Sequence, residues 1–204
     1  MSFFSPIQRK NESQVKIHIE EQDAVNKFMA AFSEKLLRQN LPPERPRLII
    51  CIGTDRSTGD SLGPIIGSRL QENEHNFFKI LGTLESPVHA GNLTDYMKII
   101  QALHNPLVVA IDACLGNVDN VGYINIGEGA LKPGAGVNKQ LPPVGDIHIT
   151  GVVNVGGFME YFVLQNTRLN VVMKMAKIIC DGIQLGSGVV DSRQLVASTS
   201  SINT

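Results

Sequence analysis

The chain has few cysteines, almost no net charge and no long apolar run, and each shortage excludes a class of protein. Cys51, Cys114 and Cys180 are its three cysteines, an odd number spread far apart. They form no disulfide framework and no zinc-ligand spacing, which favours a reducing compartment. The net charge is −1, so there is no electrostatic reason to expect nucleic acid or an anionic membrane as a partner. No apolar run approaches the roughly 20 residues that span a bilayer. The opening MSFFSPIQRKNESQ lacks the apolar core of a signal peptide, so the expected location is the cytoplasm. Two phosphate-binding signatures are missing as well: GxGxxG is absent, and the glycine-rich loop at 53–60 ends on Asp60 where a P-loop needs lysine.

What is present is a globular composition, 43% hydrophobic and 18% charged over 204 residues. That length suits one domain with a full-sized core. We read residues 1–20 as an N-terminal extension with a short extended piece at Val15 and Ile17, 21–190 as a single α/β domain, and 191–204 as a flexible tail. Val25, Phe28, Met29, Phe32 and Leu36 follow helical spacing, and the prolines of LPPERPR stop that helix. LIICIG reads as a buried strand, 61–72 as a helix with Pro64 in its first turn, and FKILGTL as the next strand. Asn92 is expected to cap a helix through 104, with Leu93, Tyr96, Met97, Ile100 and Leu103 inward. LVVAID and VGYINIG are further strands, and 128–147 is a long loop rich in proline and glycine. A helix starts within 156–165, and Thr167 is expected to cap another through about 184, followed by coil after Gly186. Strands alternating with helices predict a three-layer α/β/α fold around a central, mostly parallel sheet.

Two aspartates stand where apolar runs give out. Asp60 lies in GDSLGP after the first long strand, and Asp112 follows five apolar residues in LVVAIDACLG. Strand ends of this kind point into one cleft in α/β proteins. Asp60 could instead cap the following helix, and Asp112 the turn after its strand. If the two are close, sharing one proton relieves their repulsion and puts an acid and a base in one site. The pair could then activate water against a peptide carbonyl or hold a divalent cation. His148 in GDIHITG would complete an Asp60, Asp112, His148 set suited to nickel or zinc. His89 and Cys114 offer a thiolate–histidine alternative, which the nearby Asp112 disfavours.

The combination of GTDRSTGDSLGPIIG with AIDACLG resembles the YyaC family of spore proteins from endospore-forming bacteria, over roughly residues 25–190. More distantly, the pattern is similar to the spore germination protease and the hydrogenase maturation proteases. The first resemblance implies that the germination protease's two catalytic aspartates fall on Asp60 and Asp112. The second implies nickel-sensing residues at Asp60, Asp112 and His148. Both imply a three-layer α/β/α fold. The reading that follows is a sporulation-associated hydrolase of aspartic-peptidase type in the forespore or spore interior. Asp60 and Asp112 carry the chemistry, Thr54, Ser57 and Gly59 line the cleft, and the 128–147 loop acts as a lid. Its partner would be a peptide or spore-protein substrate, and a homodimer stays open. The alternative is a non-catalytic spore protein that uses the same fold to bind a peptide or protein.

Overall fold

The computed structural model describes residues 14–39, 41–73, 77–133 and 141–202, with backbone only over 195–202. In chain order the elements are β1 (Val15–His18), α1 (Ala24–Arg38), β2 (Arg47–Cys51), α2 (Leu62–Glu72), β3 (Lys79–Leu81), α3 (Leu93–Gln101), β4 (Leu107–Gly116), β5 (Tyr123–Glu128), β6 (Ile147–Val155), α4 (Glu160–Gln165) and α5 (Leu169–Ile202). The six strands form one sheet in the order β1-β5-β6-β4-β2-β3. From β3 to β6 the pairings are parallel, whereas β5 runs antiparallel to both β6 and β1.

The fold follows from which residues of each strand face which layer. Ile49, Val109, Ile111, Ile147 and Ile149 pack on one side of the sheet against Phe28 and Phe32 of α1, Leu62 and Ile66 of α2, and Met175 and Ile179 of α5. Their alternates Leu48, Ile50, Val108 and Ala110 pack on the other side against Leu93 and Ile100 of α3 and against Val144. Strands apolar on both faces need cover on both, and the result is the expected three-layer arrangement. Helix α2 lies close on the sheet because it carries glycine at the contact. A Cβ at Gly63 would stand 2.1 Å from the Ile52 carbonyl oxygen.

The largest departure from the sequence reading is β6. The segment 148–155 carried no predicted element, yet it is the strand between β4 and β5, hydrogen-bonded on both sides. Its signal is a period of two, in which Ile147, Ile149, Gly151 and Val153 are buried. Three smaller differences concern caps and ends. Asn92 makes no side-chain cap to α3; its Oδ1 instead accepts from the His89 N–H (2.8 Å), and its Nδ2 donates to the Pro87 carbonyl (3.0 Å). Thr167 likewise donates backwards, to the Val163 carbonyl at 2.9 Å, rather than capping α5. Helix α5 does not stop near 184 but continues past Gly186 to Ile202. Leu103, expected inward, is exposed. Most of the 128–147 loop is bounded by a bridge between Leu131 and Val144, and the part of it at 134–140 lies outside the described residues.

Among the described residues, no helix is long and apolar enough to cross a membrane.

Candidate functional site

The strand order places a switch point between β2 and β4. The chain leaves β2 through α2 to β3 on one side, then returns through α3 to β4 on the other side. Connections that part in this way leave a crevice at the strands' carboxyl ends. A cavity of about 480 Å³ lies there, walled by Ile52, Gly53 and Thr54 after β2 and by Asp112 to Leu115 in β4. Asp60, His89, Thr150 and Glu160 also face it, as do Leu131, Lys132 and Pro133.

Asp60 is brought to the cavity by a loop that doubles back. The Gly53 N–H donates to the Val88 carbonyl (2.8 Å), and the Thr54 N–H donates to the Asp60 carbonyl (3.1 Å). Gly53 has φ +146°, and a Cβ on it would meet the Asp60 carbonyl oxygen at 2.0 Å. Only glycine accommodates both the backbone angle and the close approach. Asp60 then sits in a single 3-10 turn, Gly59–Ser61, which leads into α2. Its side chain makes no cap to that helix: the residue flanking α2 is Ser61, whose hydroxyl donates to the Thr58 carbonyl (2.7 Å). Burial pushes the Asp60 carboxyl above the ordinary range.

Asp112 is set by strand register, opposite Thr150 of β6. Burial raises its carboxyl well above the usual value, and the charge of Asp60 adds to the effect. The Ala113 N–H, donating to Oδ1 at 2.8 Å, opposes the shift without cancelling it. The structure therefore brings together the two aspartates that sequence singled out, in surroundings that favour a proton held by the pair.

The other sequence candidates are distributed differently. Thr54 lines the cavity. Gly59 is not part of the cavity wall; a Cβ there would stand 2.6 Å from Leu164 of α4, itself a wall residue, and 3.0 Å from the Thr167 hydroxyl. Ser57 is buried with its Oγ unpartnered among the described residues, and it is not part of the cavity wall. His148 is on β6 two register pairs before Asp112 and Thr150, opposite Ala110. Its ring lies over Gly127, and its Nδ1 is 3.0 Å from the Gly129 carbonyl. That contact turns it away from the cavity wall. The expected nickel or zinc set of Asp60, Asp112 and His148 is not assembled, and among the described residues no three His, Cys, Asp or Glu side chains are arranged to hold a metal ion.

Cys114 and His89 both reach the cavity. Burial pushes the Cys114 thiol up to about 11, with the Thr150 hydroxyl opposing and Asp112 reinforcing the shift, so it is a poor nucleophile at neutral pH. Thr150, Lys132 and Glu160 escaped the sequence reading. The alternation of β6 could have found Thr150, which shares a face with His148. Nothing local marks Glu160, which enters the wall because Met159 adopts a left-handed backbone (φ 51°) just before α4.

Three comparisons with known proteins bear on this chain. The uncharacterized protein YyaC of Bacillus subtilis (strain 168) is 59% identical over 142 residues, covering 69% of each chain. A NiFe hydrogenase maturation protease, HycI from Thermococcus kodakarensis KOD1, aligns in structure with a TM-score of 0.43 and 18% identity, over 71% of this chain and 98% of that one. Such a score is too low to argue a shared fold, which rests here on the chain's own topology. The family described as "Protein of unknown function (DUF1256)" matches residues 16–182. The chain, related to Bacillus subtilis YyaC and matched over most of its length, belongs to the DUF1256 family.

Proposed function

We propose that this protein is a hydrolase of aspartic-peptidase type whose acid pair is Asp60 and Asp112. The observation that carries the reading is the placement of two desolvated carboxyls on one cavity, with the charge of one raising the other. Asp112, raised further, holds the proton, and Asp60 serves as the ionised base. Asp60 takes a proton from water as the water oxygen bonds to the carbonyl carbon of a peptide. Asp112 first holds the carbonyl oxygen by a hydrogen bond and then passes that proton to the leaving nitrogen as the C–N bond breaks, after which the proton taken up by Asp60 returns to Asp112 and resets the pair. The resemblance of the aspartate motifs to spore proteins supports a spore polypeptide as substrate and the forespore as location. No step is written through a metal, because among the described residues no three donor side chains are arranged to hold one.

The test is cleavage of casein and of forespore protein extract, followed by mass spectrometry. Asp60→Asn and Asp112→Asn should each lower turnover by about 100-fold or more, with the melting temperature not lowered. Wild-type cleavage by both variants would reject the acid pair.

One observation favours a second reading, a non-catalytic module that binds a polypeptide. Next to the cavity, Phe158, Tyr161 and Phe162 are 82%, 61% and 54% exposed. Clusters of exposed aromatics mark interaction surfaces. Stable association with a polypeptide that stays uncleaved would decide for this reading.

A further inference from the structure

We infer that His89 is a ligand-binding residue of the cavity, presenting an Nε2–H donor to a polypeptide carbonyl; the choice of a carbonyl rests on the acid-pair reading above. The inference starts from a comparison of two histidines held in the same way. In His18, Nδ1 accepts from the N–H two residues on, that of Glu20 (3.3 Å), and Nε2 lies 3.3 Å from the Val121 carbonyl. In His89, Nδ1 accepts from the Gly91 N–H at 3.1 Å, again two residues on. A neutral imidazole whose Nδ1 accepts carries its proton on Nε2. The Nε2–H of His18 is taken by a backbone carbonyl. No described residue takes that of His89, and His89 is the one of the two that lines the cavity.

The backbone beneath His89 is firmly held. Its N–H donates to Asn92 Oδ1, and its carbonyl accepts from the N–H groups of Asn92 (3.0 Å) and Leu93 (2.9 Å). The preceding residue, Val88, is tied to Gly53 on the Asp60 loop. This is why Asn92 does not cap α3: its side chain braces the His89 turn. A donor fixed on a braced turn loses little freedom when it binds. The same wall carries Asp60 and Glu160 against one cation, Lys132, with Asp112 holding the proton, so its balance is negative and a neutral amide carbonyl fits better than an anionic acceptor.

The test uses the full-length chain labelled with nitrogen-15 and a tryptic digest of casein at millimolar concentration. Long-range proton–nitrogen spectra at about pH 8, above the ordinary histidine range, should show His89 protonated at Nε2, with that signal moving as digest is added. His89→Gln restores an amide N–H near the Nε2 position and should bind the digest like the wild type. His89→Asn keeps an acceptor for Gly91 but has no donor reaching the cavity, and its binding, read from other cavity signals, should weaken about five- to tenfold. A purely structural histidine would give the opposite order, with Asn the better replacement. An Nδ1–H tautomer, wild-type binding by His89→Asn, or no digest-induced shift would each overturn the inference. Binding with this pattern but without cleavage would overturn the hydrolase reading alone and leave His89 as a binding residue.

Discussion

Asp60, in the 3-10 turn that precedes α2, and Asp112, within β4, reach one cavity, and the charge of Asp60 reinforces burial in raising the Asp112 carboxyl. The pair is a stability liability as well as a chemical asset. An unfolded aspartate titrates at about 3.9, and the folded Asp112 titrates well above that. Between those values the folded chain binds more protons than the unfolded chain. The contribution of Asp112 to stability is therefore fully present below about pH 4 and is lost as pH rises through the folded value. Asp112→Asn removes this titration. The variant should be more stable than wild type at neutral pH, by about 1 kcal/mol or more, and equal or less stable near pH 4. Urea unfolding across that range measures the difference, and a parallel pH dependence in the two proteins would contradict it.

Gly53 is the residue that lets Asp60 reach the site. Any Cβ there collides with the Asp60 carbonyl, and φ +146° is unfavourable for every other residue type. Gly53→Ala should cost roughly 2 kcal/mol or more. It should also displace Asp60, so cleavage or peptide binding falls further than the stability loss accounts for. Denaturant midpoints compared with activity at a permissive temperature separate the two effects.

How much of this was legible in sequence depends on the range of the determining contacts. Asp60 and Asp112 could be read because a carboxylate after a buried run has few inexpensive explanations. The helices α1 and α2 could be read because their apolar stripes and Pro64 are local signals. The strand β6 could not be assigned so easily, because Gly151 and Asn154 dilute its alternation and its place is fixed by partners on both sides. His148 misled for a related reason. Its residue type suits a metal, but only the register of β6 against β5 shows that its ring rests on Gly127 and is held by Gly129. Ser57 and Gly59 share a loop with Asp60, yet Gly59 packs against Leu164 of α4, distant in sequence, and neither residue is part of the cavity wall.

Cys114 is predicted to be inert despite lining the cavity. With its thiol pushed up to about 11, only about a thousandth is thiolate near pH 8. Iodoacetamide should leave Cys114 unmodified in the native protein over the time in which free cysteine reacts fully, and should label it after denaturation. Peptide mapping by mass spectrometry provides the check. Rapid native labelling would revive the thiolate–histidine alternative with His89.

The aromatic residues before and within α4 are predicted to matter for binding and not for folding. Phe158, Tyr161 and Phe162 lose little contact with water on folding, so replacing all three by serine should shift the melting temperature by only about 2 °C or less. If the face receives a polypeptide, the same variant should lose affinity for the casein digest by about tenfold or more, since exposed aromatic anchors dominate such contacts. Calorimetric melting and the nitrogen-15 titration measure the two effects. Unchanged affinity would assign the exposed face no part in ligand recognition.

Thr150 connects the cavity to the sheet interior, and its replacement tests whether that connection is structural. Its hydroxyl accepts from Asn125 Nδ2 at 3.2 Å and lies beside the Cys114 thiol, directly across from Asp112 in the strand register. Asn125 is 8% exposed, too little for water to replace the lost acceptor. Thr150→Val preserves shape and β-branching but leaves the Asn125 amide unsatisfied, at a cost of about 1 to 3 kcal/mol. A paired Asn125→Val, Thr150→Val variant removes both polar groups and should recover much of that loss. Equilibrium unfolding of the two single variants and the double variant gives the coupling directly. Additive losses would show that the Asn125–Thr150 bond contributes nothing, and that Thr150 is held at the Asp112 wall by the strand register alone.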